Sequence, residues 1–318
     1  MHIMSQPEPE QIRKRLLVWL VPEKPRRLLV LFGVFLLIVA GDWWHRRWHP
    51  TATLATEHYF IQSSATSEQT KAMADAVESL HAAYARVFAE FPQVHEAHPL
   101  LQMKLFKDRI EFRRCNRGLG WAEAYYLKPH CNAYFAAAEI NPYHWMLHEA
   151  VHQLNHEVAR FPLAKWFDEG LGEYFGTSLV KDGTLLPGRI DPNTYPIWWL
   201  DEMNFAGDLR QDIARTNVIP LDIIISGKGG PDIDEHFNLY YIHWWSLTHF
   251  LLHFDEGKYR TGFFAVIREG GTLASFTDRI GPIERVQGEW YHHLLEQKKS
   301  LYRPPAKRPK PESTKNTI

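Results

Sequence analysis

The chain has 318 residues with 36 Lys and Arg against 37 Asp and Glu; its net charge of −1 leaves no electrostatic footprint for nucleic acid or another polyanion. At 45% hydrophobic and 23% charged it is composed like a globular protein long enough to bury a sizeable core. Cys115 and Cys131, the only cysteines, exclude a disulfide framework and a cysteine zinc site and leave one bridge at most, formed if the domain is exported.

Residues 1–27 are polar and basic, with Arg13, Lys14, Arg15, Lys24, Arg26 and Arg27. Residues 28–41 (LLVLFGVFLLIVAG) carry no charge, and Asp42-Trp43-Trp44 closes the run. As a helix this run spans roughly 21 Å, against a hydrocarbon core of roughly 30 Å. A single-span anchor over 28–45 fits better than a cleaved signal peptide, since no A-x-A-like site is present; a buried core helix is the third reading. The basic flank predicts that residues 1–27 stay in the cytoplasm and the remainder is exported, with Trp43, Trp44 and Trp48 in the headgroup belt. Residues 46–56 read as a linker.

The alternation of residues 57–63 (EHYFIQS) predicts a strand. Thr66 and Gln69 form a capping box for a helix with apolar positions Met73, Val77, Leu80, Tyr84, Val87, Phe88 and Phe91, ended by Pro92. Residues 101–106 read as a second strand, and Asp108 opens a short helix to about Arg114. Residues 122–127 and 132–138 pair as a hairpin around Lys128-Pro129-His130.

The chemistry concentrates next. His148-Glu149-Ala150-Val151-His152 is an H-E-x-x-H pattern. On a helix its histidines are 400° apart in rotation, so both imidazoles leave one face, about 6 Å apart along the axis. That suits two of the three protein ligands of a catalytic zinc, with Glu149 placed to polarise a water in the open position. The bland alternative is a surface helix in a chain with 18 histidines. A zinc held by two histidines needs a third ligand, and a Glu from a following helix is an established solution. Phe161-Pro162 ends the first helix. A second helix then carries Glu169 and Glu173, four residues apart on one face. His144 and His156 read as hydrogen-bonded or solvated histidines rather than ligands.

H-E-A-V-H followed by W-F-D-E-G-L-G-E-Y-F resembles the gluzincin metallopeptidases of the peptidase MA clan, relatives of thermolysin and the M1-type aminopeptidases. It is most similar to a group of bacterial proteins whose second motif reads W-x-x-E-G-x-A-E-Y-F. Together with M-K-L-F-K-D-R-I-E-F at 103–112, the resemblance covers roughly residues 55–300. It implies an α+β, zincin-like fold: a small N-terminal sheet with the active-site helix, then a mainly helical C-terminal part, all within 57–302. It also implies Glu169 as third zinc ligand, with Glu173 oriented towards a ligand histidine or a substrate amine. Gly172 departs from the group's Ala, a small-for-small change that costs helix propensity and removes no chemistry. In such folds an edge strand beside the active-site helix pairs with extended substrate, and residues 132–138 are the candidate, with an ordinary core strand as the equal alternative.

Residues 181–234 are rich in Gly, Pro, Asp and Asn and predict loops with short helices. Residues 195–200 (YPIWWL) either line a cleft or pack. A helix over 237–254 carries Phe237, Tyr241, Trp244, Thr248 and Leu251 on one stripe. Gluzincins often set a phenol or imidazole near the developing oxyanion; Tyr241 is the candidate, with Tyr240 and His243 as alternatives and plain core aromatics as the competing reading. Ile283, Val286, Trp290 and Leu294 mark a final amphipathic helix. The Pro- and Lys-rich tail, 303–318, predicts disorder.

The expectation is peptide-bond hydrolysis by a membrane-anchored, extracytoplasmic zinc metallopeptidase of the bacterial periplasm or cell surface. His148, His152 and Glu169 bind Zn2+, Glu149 is the general base, and the substrate is a peptide or protein. The alternative is a non-catalytic envelope binding or scaffolding module that keeps the peptidase fold.

Overall fold

The computed structural model describes residues 25–119 and 122–301. The basic segment before residue 25 and the tail from 303 lie outside them. Within them the chain divides between His49 and Pro50 into two units.

The first unit contains helix α1, Pro25–Arg46. Its stretch Arg27–Arg46 is long and apolar enough to cross a membrane or act as a signal segment, and none of it is buried. The helix outruns the uncharged run at both ends. Asp42 and Arg46, one turn apart, pair and carry it onward. Its 22 residues give roughly 33 Å, enough for the hydrocarbon core that the shorter run missed.

The second unit is α+β. Five strands form one mixed sheet: β1 Ala52–Ala55, β2 Tyr59–Ser63, β3 Leu101–Phe106, β4 Ala124–Leu127 and β5 His130–Tyr134, in the order β1-β2-β3-β5-β4. The inner strands β2, β3 and β5 are parallel, while β1 and β4 run antiparallel on the two edges. Helix α2, Ser67–Val87, makes the crossover from β2 to β3. Thr66 and Gln69 form the expected capping box, and Met73, Val77, Leu80 and Tyr84 are buried. Helix α3, Arg109–Cys115, starts where Asp108 accepts from the Glu111 N–H.

Two expectations about the sheet change. The segment read as a linker, 46–56, contains β1, so the second unit begins at Pro50 rather than at 57. Thr53, Leu54 and their neighbours are mostly exposed and lack apolar alternation; backbone pairing with β2 makes this strand. Of the two equal readings of 132–138, the core strand holds and the edge strand does not: β5 lies between β3 and β4, and β4 takes the edge on that side. The hairpin itself forms, with its strands at 124–127 and 130–134.

Helix α4, His144–Gln153, widens into a π-turn over Leu154–Val158, where the Ala159 N–H reaches back to the Leu154 carbonyl at 2.8 Å. After Pro162, helix α5, Lys165–Gly176, follows. A hairpin then crosses into the span expected as loops, 181–234: β6 Ser178–Lys181 and β7 Thr184–Ile190. Asp182 and Gly183 both adopt positive φ between them, which is the Asp-Gly hairpin signal. Short helices α6 Ile197–Leu200, α7 Leu209–Ala214 and α8 Leu221–Ser226 lead to α9, Phe237–His253. Two helices that periodicity did not single out, α10 Arg260–Arg268 and α11 Leu273–Arg279, precede α12, Ile283–Leu301.

Helix α5 is packed between α4 and α9. Trp166 and Phe167 are fully buried at its start, and the Trp166 indole donates to the Gly271 carbonyl at 2.7 Å. At Gly170 a Cβ would overlap the Thr248 hydroxyl and come within 2.8 Å of the Trp244 carbonyl, so hydrogen alone fits against α9. Backbone cannot yield as a flexible side chain does. Gly170→Ala is therefore expected to cost about 2 kcal/mol through overpacking, lowering the melting temperature by roughly 4–8 °C in a domain of this size. A calorimetric scan checks this, and an unchanged melting temperature would refute the tight α5–α9 contact.

Candidate metal centre

On α4, His148 and His152 point from one face, as four-residue spacing requires, with their Nε2 atoms 3.1 Å apart. Helix α5 brings Glu169 opposite them: its Oε2 is 3.5 Å from His148 Nε2 and 3.7 Å from His152 Nε2. A triangle with those sides has its corners about 2.0 Å from one common point, which matches Zn–N and Zn–O distances of about 2.0–2.2 Å. Two neutral imidazoles and a carboxylate, partly buried on adjacent helices, therefore fit one divalent ion such as zinc. They form the one such donor group among the described residues.

The other ring nitrogens are also held. Glu173 is buried, and its Oε1 lies 3.2 Å from His148 Nδ1. Asp168, whose role sequence reasoning passed over, lies with Oδ1 3.1 Å from His152 Nδ1. The arrangement of each imidazole between a carboxylate and the donor triangle fixes the tautomer that presents Nε2 inward. Behind Asp168 a chain of hydrogen bonds runs into the core: Asn155 Nδ2 donates to Asp168 Oδ1 at 2.8 Å, and the Tyr84 hydroxyl donates to Asn155 Oδ1 at 2.7 Å. Asn155 belongs to the π-turn, whose extra residue per turn shifts the register that regular helix would have kept. The signal for Asp168 was its place beside Glu169 in the second motif; nothing in the sequence pointed to Tyr84 or Asn155.

Gly172 is more than a small residue. A Cβ there would lie 2.9–3.1 Å from three atoms of the His148 ring, so a side chain at this position presses the imidazole to shift by a few tenths of an ångström.

Glu149 lies beside the triangle. Burial raises its pKa, the two histidines oppose that rise, and Glu169 adds to it. The Tyr126 backbone N–H, on the open edge strand β4, faces its carboxylate. Of the three candidates on α9, Tyr241 alone adjoins the centre, its ring stacked 6.3 Å from His148. Burial, with Glu169 and Glu173 adding to it, raises the Tyr241 hydroxyl pKa, so it stays a donor at neutral pH. Tyr240 instead donates to the Pro231 carbonyl at 3.0 Å, and both nitrogens of His243 are taken by the Leu239 carbonyl and the Ile219 N–H. Tyr195, from the aromatic run 195–200, stacks on Trp145 and lies 5.7 Å from Tyr241. It walls the site beside His148 and Glu173. His144 is buried against the Asn141 carbonyl, and His156 is exposed. Cys115 and Cys131 are free thiols, so the single bridge left open by the sequence is not formed. Cys131 instead donates to the Glu149 carbonyl at 3.2 Å, beneath α4.

No protein-family model matches the chain, and no curated protein matches it.

The electrostatics are those of a site starved of positive charge. Burial opposes a charged His148, but Glu173 and Glu169 outweigh it and raise the ring to about 10. His152 is likewise raised, against burial, by Asp168 and Glu169. Glu169 is held well below the usual carboxylate range by the two imidazoles despite its burial. A histidine raised on folding contributes stability that is complete below its unfolded pKa near 6.5 and is lost as pH climbs through the folded value. In chelator, the melting temperature is therefore expected to fall between pH 6.5 and about 10, and His148→Asn is expected to fall less steeply. Parallel pH profiles for the two proteins would refute this charge assignment.

Proposed function

We propose that the chain is a membrane-anchored zinc metallopeptidase of the gluzincin kind, zincin-like in its second unit, acting outside the cytoplasm on peptides or proteins. The observation that carries this reading is the donor triangle of His148, His152 and Glu169, sized for one zinc ion, with the Glu149 carboxylate beside it. Zinc bound there supplies Lewis acidity to a scissile carbonyl and lowers the pKa of water to about 7.

The remaining steps fall to the chain itself. Glu149, raised by burial, is the general base: it removes a proton from the attacking water and returns it to the leaving amine. The Tyr241 hydroxyl, protonated at neutral pH, donates to the oxygen on which negative charge develops. Asp168 and Glu173 keep both imidazoles oriented through the cycle. The unpaired edge of β4 offers backbone groups to an extended substrate, and Tyr126 on that edge already faces Glu149. The α1 helix is the anchor, with its basic N-terminal flank on the cytoplasmic side.

Full-length protein in detergent is expected to carry about one zinc per chain, measured by plasma mass spectrometry and lost in His148→Ala and Glu169→Ala. Glu149→Gln is expected to keep the zinc while hydrolysis of a peptide library falls by about 10²–10⁴, and Tyr241→Phe to lower kcat by about 10²–10³ with zinc retained. Protein that takes up no zinc would sink the reading and leave the envelope binding module. Topology is tested separately: alkaline phosphatase fused after His49 is expected to be active, and an inactive fusion would put the second unit in the cytoplasm.

A further inference from the structure

On another side of α5 lies a cavity of about 200 Å³ that the metal centre does not use. This is far more than one water occupies. Four elements besides α5 wall it: α2 with Arg86, β7 with Pro187, the end of α9 with His253, and the start of α10 with Arg260. Its polar groups are Arg86, Arg260, His253 and Tyr174, and no carboxylate lines it.

The charge is uncompensated. Neither guanidinium pairs with a carboxylate among the described residues, whereas Arg109, Arg113, Arg268, Arg279 and Arg285 each pair with a Glu. Arg260 is braced, its Nε and Nη2 donating to the Leu252 carbonyl at 3.3 and 3.1 Å, which leaves its remaining N–H groups without an acceptor among the described residues. The Tyr174 hydroxyl and His253 Nε2 share a hydrogen bond at 2.8 Å. If the hydroxyl donates, the ring's Nδ1–H is left over; if the ring donates, the hydroxyl proton is. Either way one neutral donor remains. The ring is also pinned, since a Cβ at Gly188 would overlap it and Gly188 sits at φ 77°, where glycine is favoured.

We propose that this cavity binds a phosphate group. Two guanidinium forks and a neutral donor, set on separate elements, match an ion whose acceptor oxygens point in several directions. The apolar remainder of the wall, Ala83, Val87, Pro187 and Leu252, accommodates whatever carries that phosphate. The same chemistry is presented by a free phosphate and by the phosphate of a lipid headgroup. Both arginines are exposed, so replacing them leaves the core intact.

The experiment is calorimetric titration of full-length protein in detergent with inorganic phosphate and, separately, with a short-chain phosphatidic acid. Variants are Arg86→Gln, Arg260→Gln and, as a control, the exposed, distant Arg215→Gln. Saturable binding of either probe, weakened at least tenfold by each pocket variant and unchanged in Arg215→Gln, is the expected result. Binding of inorganic phosphate identifies a soluble source, and binding of the phosphatidic acid alone identifies a lipid. Absence of saturable binding of both probes, or equal loss in the control, overturns the proposal.

Discussion

The closeness of α5 to α4 is the constraint on which the site depends. Ligand atoms on two helices share one ion only if their separations stay near 3.3 Å, and here the three values run from 3.1 to 3.7 Å. Side chains as short as Glu and His leave no slack to bridge a wider gap. At Gly172 the His148 ring lies close against bare backbone, and on the other side of the helix Gly170 meets the backbone of α9. Two glycines inside a helix cost roughly 2 kcal/mol in propensity relative to alanine. That expense goes into position: α5 is clamped from both sides, and Glu169 and Glu173 are delivered to the two ends of one imidazole.

Electrostatics and geometry point the same way. Glu149, Glu169, Glu173 and Asp168 surround two imidazoles that are neutral in their reference state. Such a cluster demands positive charge, and in the folded chain it takes it up as protons, which is why both histidines are raised. Under the proposed reading a divalent cation would answer the same demand; it would have to displace protons from His148 and His152, and its affinity would rise with pH over the range in which those rings are raised. Tyr241 feels that field too: the carboxylates that raise the histidines also keep its hydroxyl protonated.

Periodic features were legible in the sequence. The H-E-x-x-H face, the Glu169–Glu173 face, the capping box at Thr66 and the strand at 101–106 follow from local rules, and local rules govern them in the structure. What failed to show was set by partners distant in sequence. β1 has no apolar pattern because it is an edge strand that gains its backbone bonds from β2. Sheet order cannot be read from a hairpin alone, which left residues 132–138 open between edge and core strand; β5 took the interior place. The β6–β7 hairpin did carry a local signal in Asp182-Gly183, obscured by the loop-like composition around it. Gly172 is the sharpest case: as a letter it is a small residue among small residues, and only the approach of His148 from another helix gives it a role.

The π-turn after α4 shows how an irregularity can serve the centre. Regular helix beyond Gln153 would turn Asn155 by 100° per residue along its original phase. The widened turn alters that phase, and Asn155 meets both Asp168 and the Tyr84 hydroxyl. Asp168 is thus held from behind while it holds His152 from the front. Tyr84 comes from α2, packed in the core beside the sheet, so the orientation of His152 is tied through Asp168, Asn155 and Tyr84 to that layer of the domain. His148 has a different support, a single buried carboxylate one turn along α5 from Glu169. The His152 support therefore reaches on to α2 and the His148 support does not, while a shift of α5 along its axis moves Asp168, Glu169 and Glu173 together.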